Sequence, residues 1–414
     1  MAVGMIGVGA ARTANAAVLP ILLMISAGHL LNDTMQSVLL SIYPLIKGPL
    51  DLDFVHIGII TLAFQLTASV LQPAIGLYTD KRPQPFSLPF GMAATFCGML
   101  LLAFAGGFAT VLVAAMLIGI GSSVFHPEAS RVARLASGGR YGFAQSLFQV
   151  GGNTGQAIGP LLVALIVIPH GQEHAAWFAL AAVVGIVILS RVGVWYRDHL
   201  AARRQAGATV SKVSPVGRNR TIAAIAILIA LTFSKNFYMA AFASYYNFFL
   251  MDRFALSVQD AQLFLFLFMG AVALGTFVGG PVGDHIGRKP ILWLSIVGVL
   301  PLSLALPFVD LFWTNVLAVV IGIVMASAFP AIIVYAQELM PGRVGMVAGL
   351  FFGFAFGMGG IGAVAVGWLA DLRGIQFAFQ VCAVLPALGL LVAFLPNLDK
   401  LAAQTSSLGS GGRP

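Results

Sequence analysis

His29 and Asp33 stand four residues apart in a segment made mostly of Leu, Ile, Met and small residues, and on a helix that spacing puts both on one face. A neutral imidazole that meets a carboxylate there can exchange a proton near physiological pH, and loss of either charge changes the surrounding field. A static polar contact between helices is the plainer use of the same pair. A second set, His126, Glu128 and Arg131, occupies another apolar segment, with Glu128 and Arg131 at i, i+3. The spacing allows Glu128 either to carry a proton or to fix Arg131. Lys235 sits beside Asn236 in a third segment, with no carboxylate within four residues on either side. Such a cation can attract an anionic ligand, pair with Asp33, or extend its stem toward a polar boundary.

Other polar residues recur where apolar ones would be expected. Gln145, Gln149, Asn153 and Gln156 follow one another at steps of four, four and three, a stripe that would be wasted against an apolar solvent. With Asn32, Tyr43, Gln65, Lys235, Asn236, Tyr238, Tyr245 and Tyr246 they are the candidate lining of a substrate path. His29, Asp33, His126 and Glu128 are the candidate proton carriers.

The elements that must hold these groups follow from composition. Of 414 residues, 59% are hydrophobic and only 9% charged, and the mean hydropathy is +0.96, too little polar surface for soluble domains. A bilayer core needs about 20 apolar residues per helical crossing, and the chain holds twelve such stretches, the first at 19–46 and the last at 374–396. Continuous apolar runs without period-2 alternation exclude a barrel, so the expectation is an all-α polytopic membrane protein. In that setting a charge near the bilayer centre costs about 2.5–3.5 kcal/mol, which makes the residues above functional candidates by default.

The net charge of +8 reports topology rather than a nucleic-acid partner, because no basic stretch is interleaved with aromatics. Eighteen of the 22 Lys and Arg fall at turns of one parity, three (Lys47, Arg253, Arg373) at the other, and Lys235 inside a helix. Both termini are therefore expected in the cytoplasm. The expected organisation is an N-terminal arm (1–18), a six-helix bundle (19–197), a cytoplasmic linker (198–219), a second six-helix bundle (220–396) and a tail (397–414). Cys97 and Cys382 lie in apolar segments far apart in sequence and read as structural thiols.

The two bundles are repeats. At an offset of 203, Ser41 and Tyr43 fall on Ser244 and Tyr246, Gly119 on Gly322, Pro127 on Pro330, Arg140 on Arg343 and Gly159 on Gly362. A parallel repeat of this kind implies a pseudo-twofold axis along the membrane normal. After the second crossing the chain reads Gly76-Leu-Tyr-Thr-Asp80-Lys81-Arg82, and after the eighth Gly280-Pro-Val-Gly-Asp284-His-Ile-Gly287-Arg288-Lys289. Here the glycine permits close helix approach, the aspartate holds a basic group or a helix end, and the basic residues stay cytoplasmic.

These loops resemble the cytoplasmic motif of the major facilitator superfamily, over a span of about residues 19–396. The second copy is the closer match, since the first ends in Pro83-Gln84-Pro85 where the family carries Gly-Arg-Lys. The resemblance implies two six-helix bundles working by alternating access. It also implies a cytoplasmic gate built from Gly76, Asp80, Lys81, Arg131, Gly280, Asp284, Arg288, Glu338 and Arg343. A narrower likeness runs through His29-Leu-Leu-Asn32-Asp33, through Gly121-Ser-Ser-Val-Phe-His126-Pro127-Glu128-Ala-Ser130-Arg131 and through Tyr335-Ala-Gln337-Glu338-Leu-Met-Pro341-Gly342-Arg343. These stretches resemble bacterial fosmidomycin-resistance proteins. That likeness implies export, from the bacterial inner membrane, of small toxic molecules including the anionic phosphonate fosmidomycin, in exchange for protons.

Gly155-x-x-x-Gly159-Pro160 is similar to part of the fifth-helix motif of antiporters in the superfamily, without its closing glycine pair. No cofactor, metal or second subunit is implied, the drive being the proton gradient. A proton-coupled importer of an organic anion would use the same buried groups. A membrane enzyme finds no HExxH, aspartate cluster or Cys/His ligand set.

Overall fold

A computed structural model of the chain describes residues 17–52, 54–205, 214 and 216–398. Most of the expected arm, most of the tail and the middle of the linker lie outside the described residues. Within them the chain forms twelve long helical segments and no strand. They are α1 (Leu19–Ser41), α2 (Phe54–Lys81), α3 (Ser87–Ala103), α4 (Phe108–Ala136), α5 (Tyr141–His170) and α6 (Gln172–Gln205). The series continues with α7 (Arg218–Phe254), α8 (Val258–Ile286), α9 (Arg288–Phe308), α10 (Leu311–Leu339), α11 (Val344–Arg373) and α12 (Ile375–Phe394). A short helix, Tyr43–Lys47, follows α1 beyond Ile42.

Ten of the helices are long and apolar enough to cross a membrane. The other two show what a span can give up: α3 is apolar but has 17 residues, and α1 has 23 residues but carries His29, Asn32, Asp33 and Gln36. Leu66, Val70, Phe90, Leu165, Phe266 and Trp368 are among many large apolar side chains left exposed, the surface expected of helices whose solvent is lipid. Two helix starts are capped from the side chain, Ser257 accepting from the amide of Asp260 and Asp310 from that of Trp313.

The helices group into two compact units. The first is Met1–Thr209 with Arg343–Gly353, and the second is Val210–Gly342 with Phe354–Pro414. A cut by sequence alone would miss that the first turns of α11 belong with the first unit. In that unit α1 and α5 make the closest pair, because the glycines of α5 lie against the α1 backbone. A Cβ on Gly151 would meet the carbonyl of Ser26, and one on Gly155 that of Leu30.

The repeat extends to packing. A Cβ on Gly159 would strike Ser37, with the carbonyl of Thr34 3.1 Å away, while one on Gly362 would lie 3.4 Å from Ala240 and 3.2 Å from Phe237. Ala240 and Phe237 are the counterparts of Ser37 and Thr34 at the offset of 203. Each unit thus uses its fifth helix in the same way against its first. The core of the second unit is aromatic, with Phe242, Tyr246, Phe249, Phe268 and Phe379 stacked or tilted on one another.

Candidate functional site

Within the first unit, α1, α4 and α5 bring His29, Asp33 and His126 together. All three are 2% exposed or less. His29 Nε2 is 3.4 Å from Asp33 Oδ2, His126 Nε2 is 3.6 Å from Asp33 Oδ1, and the two Nε2 atoms are 3.3 Å apart. The helical spacing of His29 and Asp33 foretold their meeting; nothing in the sequence foretold that His126, on α4, would join them. Pro127 lies inside α4, which stays helical from Phe108 to Ala136.

The carboxylate is held by amides. Asn32 and Gln36 donate to Oδ1 at 3.0 and 2.9 Å, and Gln156, from α5, donates to Oδ2 at 2.9 Å. Ser122 donates to Gln36 Oε1 at 3.2 Å. Rings close the site: Phe148 stacks on His29 at a centroid distance of 4.1 Å, and Phe352, at the start of α11, lies 5.0 Å from His126. Gln36, Ser122, Phe148 and Phe352 escaped the sequence reading, because each becomes notable only through a neighbour on another helix. Asn32, expected to touch substrate, here serves the carboxylate.

Two imidazoles and a carboxylate, with one ligating atom each inside 4.8 Å of the others, are also the donor set of a metal site. Three of the roughly four lone-pair positions of the carboxylate already accept amide N–H groups. That leaves one position at Asp33, on Oδ2, for a further N–H such as that of a proton-bearing imidazole.

Toward the end of α4 the polar residues form an interhelical latch. Arg131 Nη1 is 2.5 Å from Glu128 Oε1, and its Nη2 is 2.7 Å from Asp80 Oδ1 and 2.9 Å from Thr79 Oγ1. Asp80 also accepts the amides of Gly345 at 3.0 Å and Met346 at 2.8 Å, at the N-terminal end of α11, where a carboxylate is favoured by free N–H groups and the helix dipole. Gly76 is required there, since a Cβ would run into the Gly345 backbone. Both alternatives for Glu128 were open in the sequence, and its carboxylate is found on Arg131. Lys81 and Arg343 are exposed.

The second unit holds a simpler latch. Arg288 Nη1 is 2.7 Å from Asp284 Oδ1 on the preceding turn, and its Nη2 is 3.5 Å from Glu338 Oε1. Gly280 is buried on α8.

Lys235 is 8% exposed, with its Nζ 4.9 Å from the ring centroid of Phe329, a cation–π distance. At this burial the ammonium lies against a ring face within its unit rather than at a polar boundary. Asn236 donates to the carbonyl of Thr232 on its own helix. Tyr43 is buried and its hydroxyl accepts from Thr61 at 3.2 Å. Gln149 is buried, and Gln65, Asn153 and Tyr245 are half-buried; Tyr245 lies against Gly367. Tyr246, expected to contact substrate, is fully buried in the aromatic core, and its hydroxyl donates to Asn315 Oδ1 at 2.9 Å. Tyr238 is buried in the same core. The helix face that carries both tyrosines points into the unit.

Paired bundles with matched latches and buried charge are the architecture of one large transporter family, and the sequence model of the Major Facilitator Superfamily matches residues 25–361 and 228–414. The chain belongs to that superfamily. This transporter is 57% identical over 374 residues to the fosmidomycin resistance protein of Escherichia coli (strain K12), covering 90% of this chain and 92% of that protein. It is 42% identical over 386 residues to the uncharacterized MFS-type transporter YfnC of Bacillus subtilis (strain 168), covering 93% and 94%. Among solved structures, FucP, a Major Facilitator Superfamily transporter in the outward conformation, aligns with a TM-score of 0.72 at 16% identity, covering 92% of this chain and 99% of that one. The human organic anion transporter MFSD10 aligns at 0.69 and 18% identity, covering 91% and 99%. At those identities the structures speak for the fold alone. Membership of that superfamily makes the chain a multi-pass membrane transporter and not an enzyme.

Proposed function

We propose that this transporter is a proton-coupled antiporter that exports small toxic molecules, fosmidomycin among them, across the bacterial inner membrane by alternating access. The observation that carries the proposal is the 57% identity, over nearly the whole length of both chains, to a protein named for fosmidomycin resistance. Support for the drive comes from the buried His29, Asp33 and His126 group, which supplies the exchangeable proton site that a proton gradient needs. Lys235, buried without a carboxylate on neighbouring turns, is suited to the anionic group of a phosphonate. Gln149, Asn153, Gln65 and Tyr245 are offered as further lining. The proton gradient is the only energy source invoked. Both termini are placed in the cytoplasm by the distribution of Lys and Arg, and a single chain is taken as the working unit.

Two measurements test the reading. Cells expressing the protein should tolerate more fosmidomycin than cells without it. In inside-out vesicles, acidifying the lumen should drive the drug in as protons leave. Acid-driven movement of substrate out of the same vesicles would make the protein an importer, and flux indifferent to pH would remove proton coupling altogether.

A further inference from the structure

The orientation of the two imidazoles says more than that they are near a carboxylate. His29 Nδ1 is 2.7 Å from the carbonyl oxygen of Phe148, and His126 Nδ1 is 3.0 Å from the carbonyl oxygen of Ser122. A carbonyl oxygen only accepts, so each Nδ1 carries the hydrogen, and in a neutral ring the Nε2 is then a bare lone pair. Both bare nitrogens face each other at 3.3 Å and face Asp33 at 3.4 and 3.6 Å. With no further proton, three acceptors confront one another in a site closed to water. With one, an Nε2–H on either ring has a lone pair to donate to, on the other ring or on the carboxylate. With two, a pair of imidazolium ions shares a single carboxylate at these distances, and like charges in a poorly screened site repel strongly.

We infer that His29, His126 and Asp33 form a cage for one proton, seated on the Nε2 of either histidine and neutralised by Asp33. The proton passes by breaking the N–H bond on one ring, whose electron pair stays with that nitrogen, as the bond forms on the other. Asn32, Gln36 and Gln156 hold the carboxylate in place while leaving it one free position. Gly152 keeps the His29 seat open, because a Cβ there would overlap the His29 ring. The other charged groups on the surrounding helices are engaged elsewhere: on α4, Glu128 is turned to Arg131. From α5, Phe148 and Gln156 meet the cage, and from the start of α11 Phe352 does; α6 packs Leu189 near Gly28. None of these is ionisable.

The inference rests on the proton-coupled reading for its use in transport, but it can be tested apart from it. Purified full-length protein in detergent is titrated from alkaline to mildly acid pH, and the protons taken up are counted for wild type, His29→Gln, His126→Gln and the double variant. One shared proton predicts that each single variant takes up as many protons as wild type and that the double variant takes up one fewer. Two fewer in the double variant, one fewer in either single variant, or no difference at all would overturn the cage. Should a variant fail to fold, 15N histidine spectra of the wild-type protein give the same answer, two neutral-like rings sharing one added proton against two separate imidazolium signals. A positive count with pH-indifferent transport would retire the coupling while leaving the cage intact.

Discussion

The same place in the two units carries opposite chemistry. On α1 and α4 it holds His29, Asn32, Asp33 and His126; the counterparts on α7 and α10 at the offset of 203 are Thr232, Lys235, Asn236 and Phe329. The first-helix residue that meets the fourth helix differs by one position: Asp33 meets His126 in the first unit, whereas in the second it is Lys235, the counterpart of Asn32, that lies over Phe329, the counterpart of His126. The duplicated scaffold thus positions a buried carboxylate in one unit and a buried cation in the other. The latches divide in a similar way: Asp80 of the first ties α2 to α4 and α11, while Asp284 of the second pairs with Arg288 one turn on.

Removing the charge that only the first unit has should break the comparison most severely. Asp33→Asn should slow acid-driven flux by about 100-fold, the low end of what a positioned proton-transfer group contributes, while leaving substrate binding measurable. Full proton-driven flux in that variant would mean that the asymmetry has no part in coupling. For the latches, Arg131→Met strands two buried carboxylates and should cost about 3–5 kcal/mol. Arg288→Met, whose partners Asp284 and Glu338 are more exposed at 12% and 23%, should cost about 1 kcal/mol or less. Thermal unfolding of the two variants in detergent measures the difference, and equal losses would show the latches to be equivalent.

On the cation side, Lys235→Gln should weaken binding of an anionic substrate by about 10-fold, ~1.4 kcal/mol, and leave a neutral one little changed. Asn236→Asp, which gives Lys235 an adjacent carboxylate, should act in the same direction. Direct binding of charged and neutral analogues decides it, and equal losses for both would assign Lys235 to packing. A loss of similar size belongs to Phe329→Leu, which removes a ring face worth about 1–2 kcal/mol to a desolvated cation and should lower the thermal midpoint.

Composition and period alone determined that this chain is a bundle of membrane-crossing helices, because lipid leaves the backbone no other way to satisfy its hydrogen bonds. The repeat was legible too, down to matched positions such as Gly159 and Gly362, though not the helix each glycine packs against. His29 with Asp33 and Glu128 with Arg131 were visible as pairs, since both lie within one turn of one helix. What joins different helices was not. His126 reaching Asp33, Gln156 completing the carboxylate, Asp80 meeting the amides of α11, and Tyr246 turning into the core rather than out of it all depend on how helices are rotated and set against one another. That rotation is fixed by packing summed over many side chains, so only the tertiary structure decided which of the polar residues chosen by the sequence share a site.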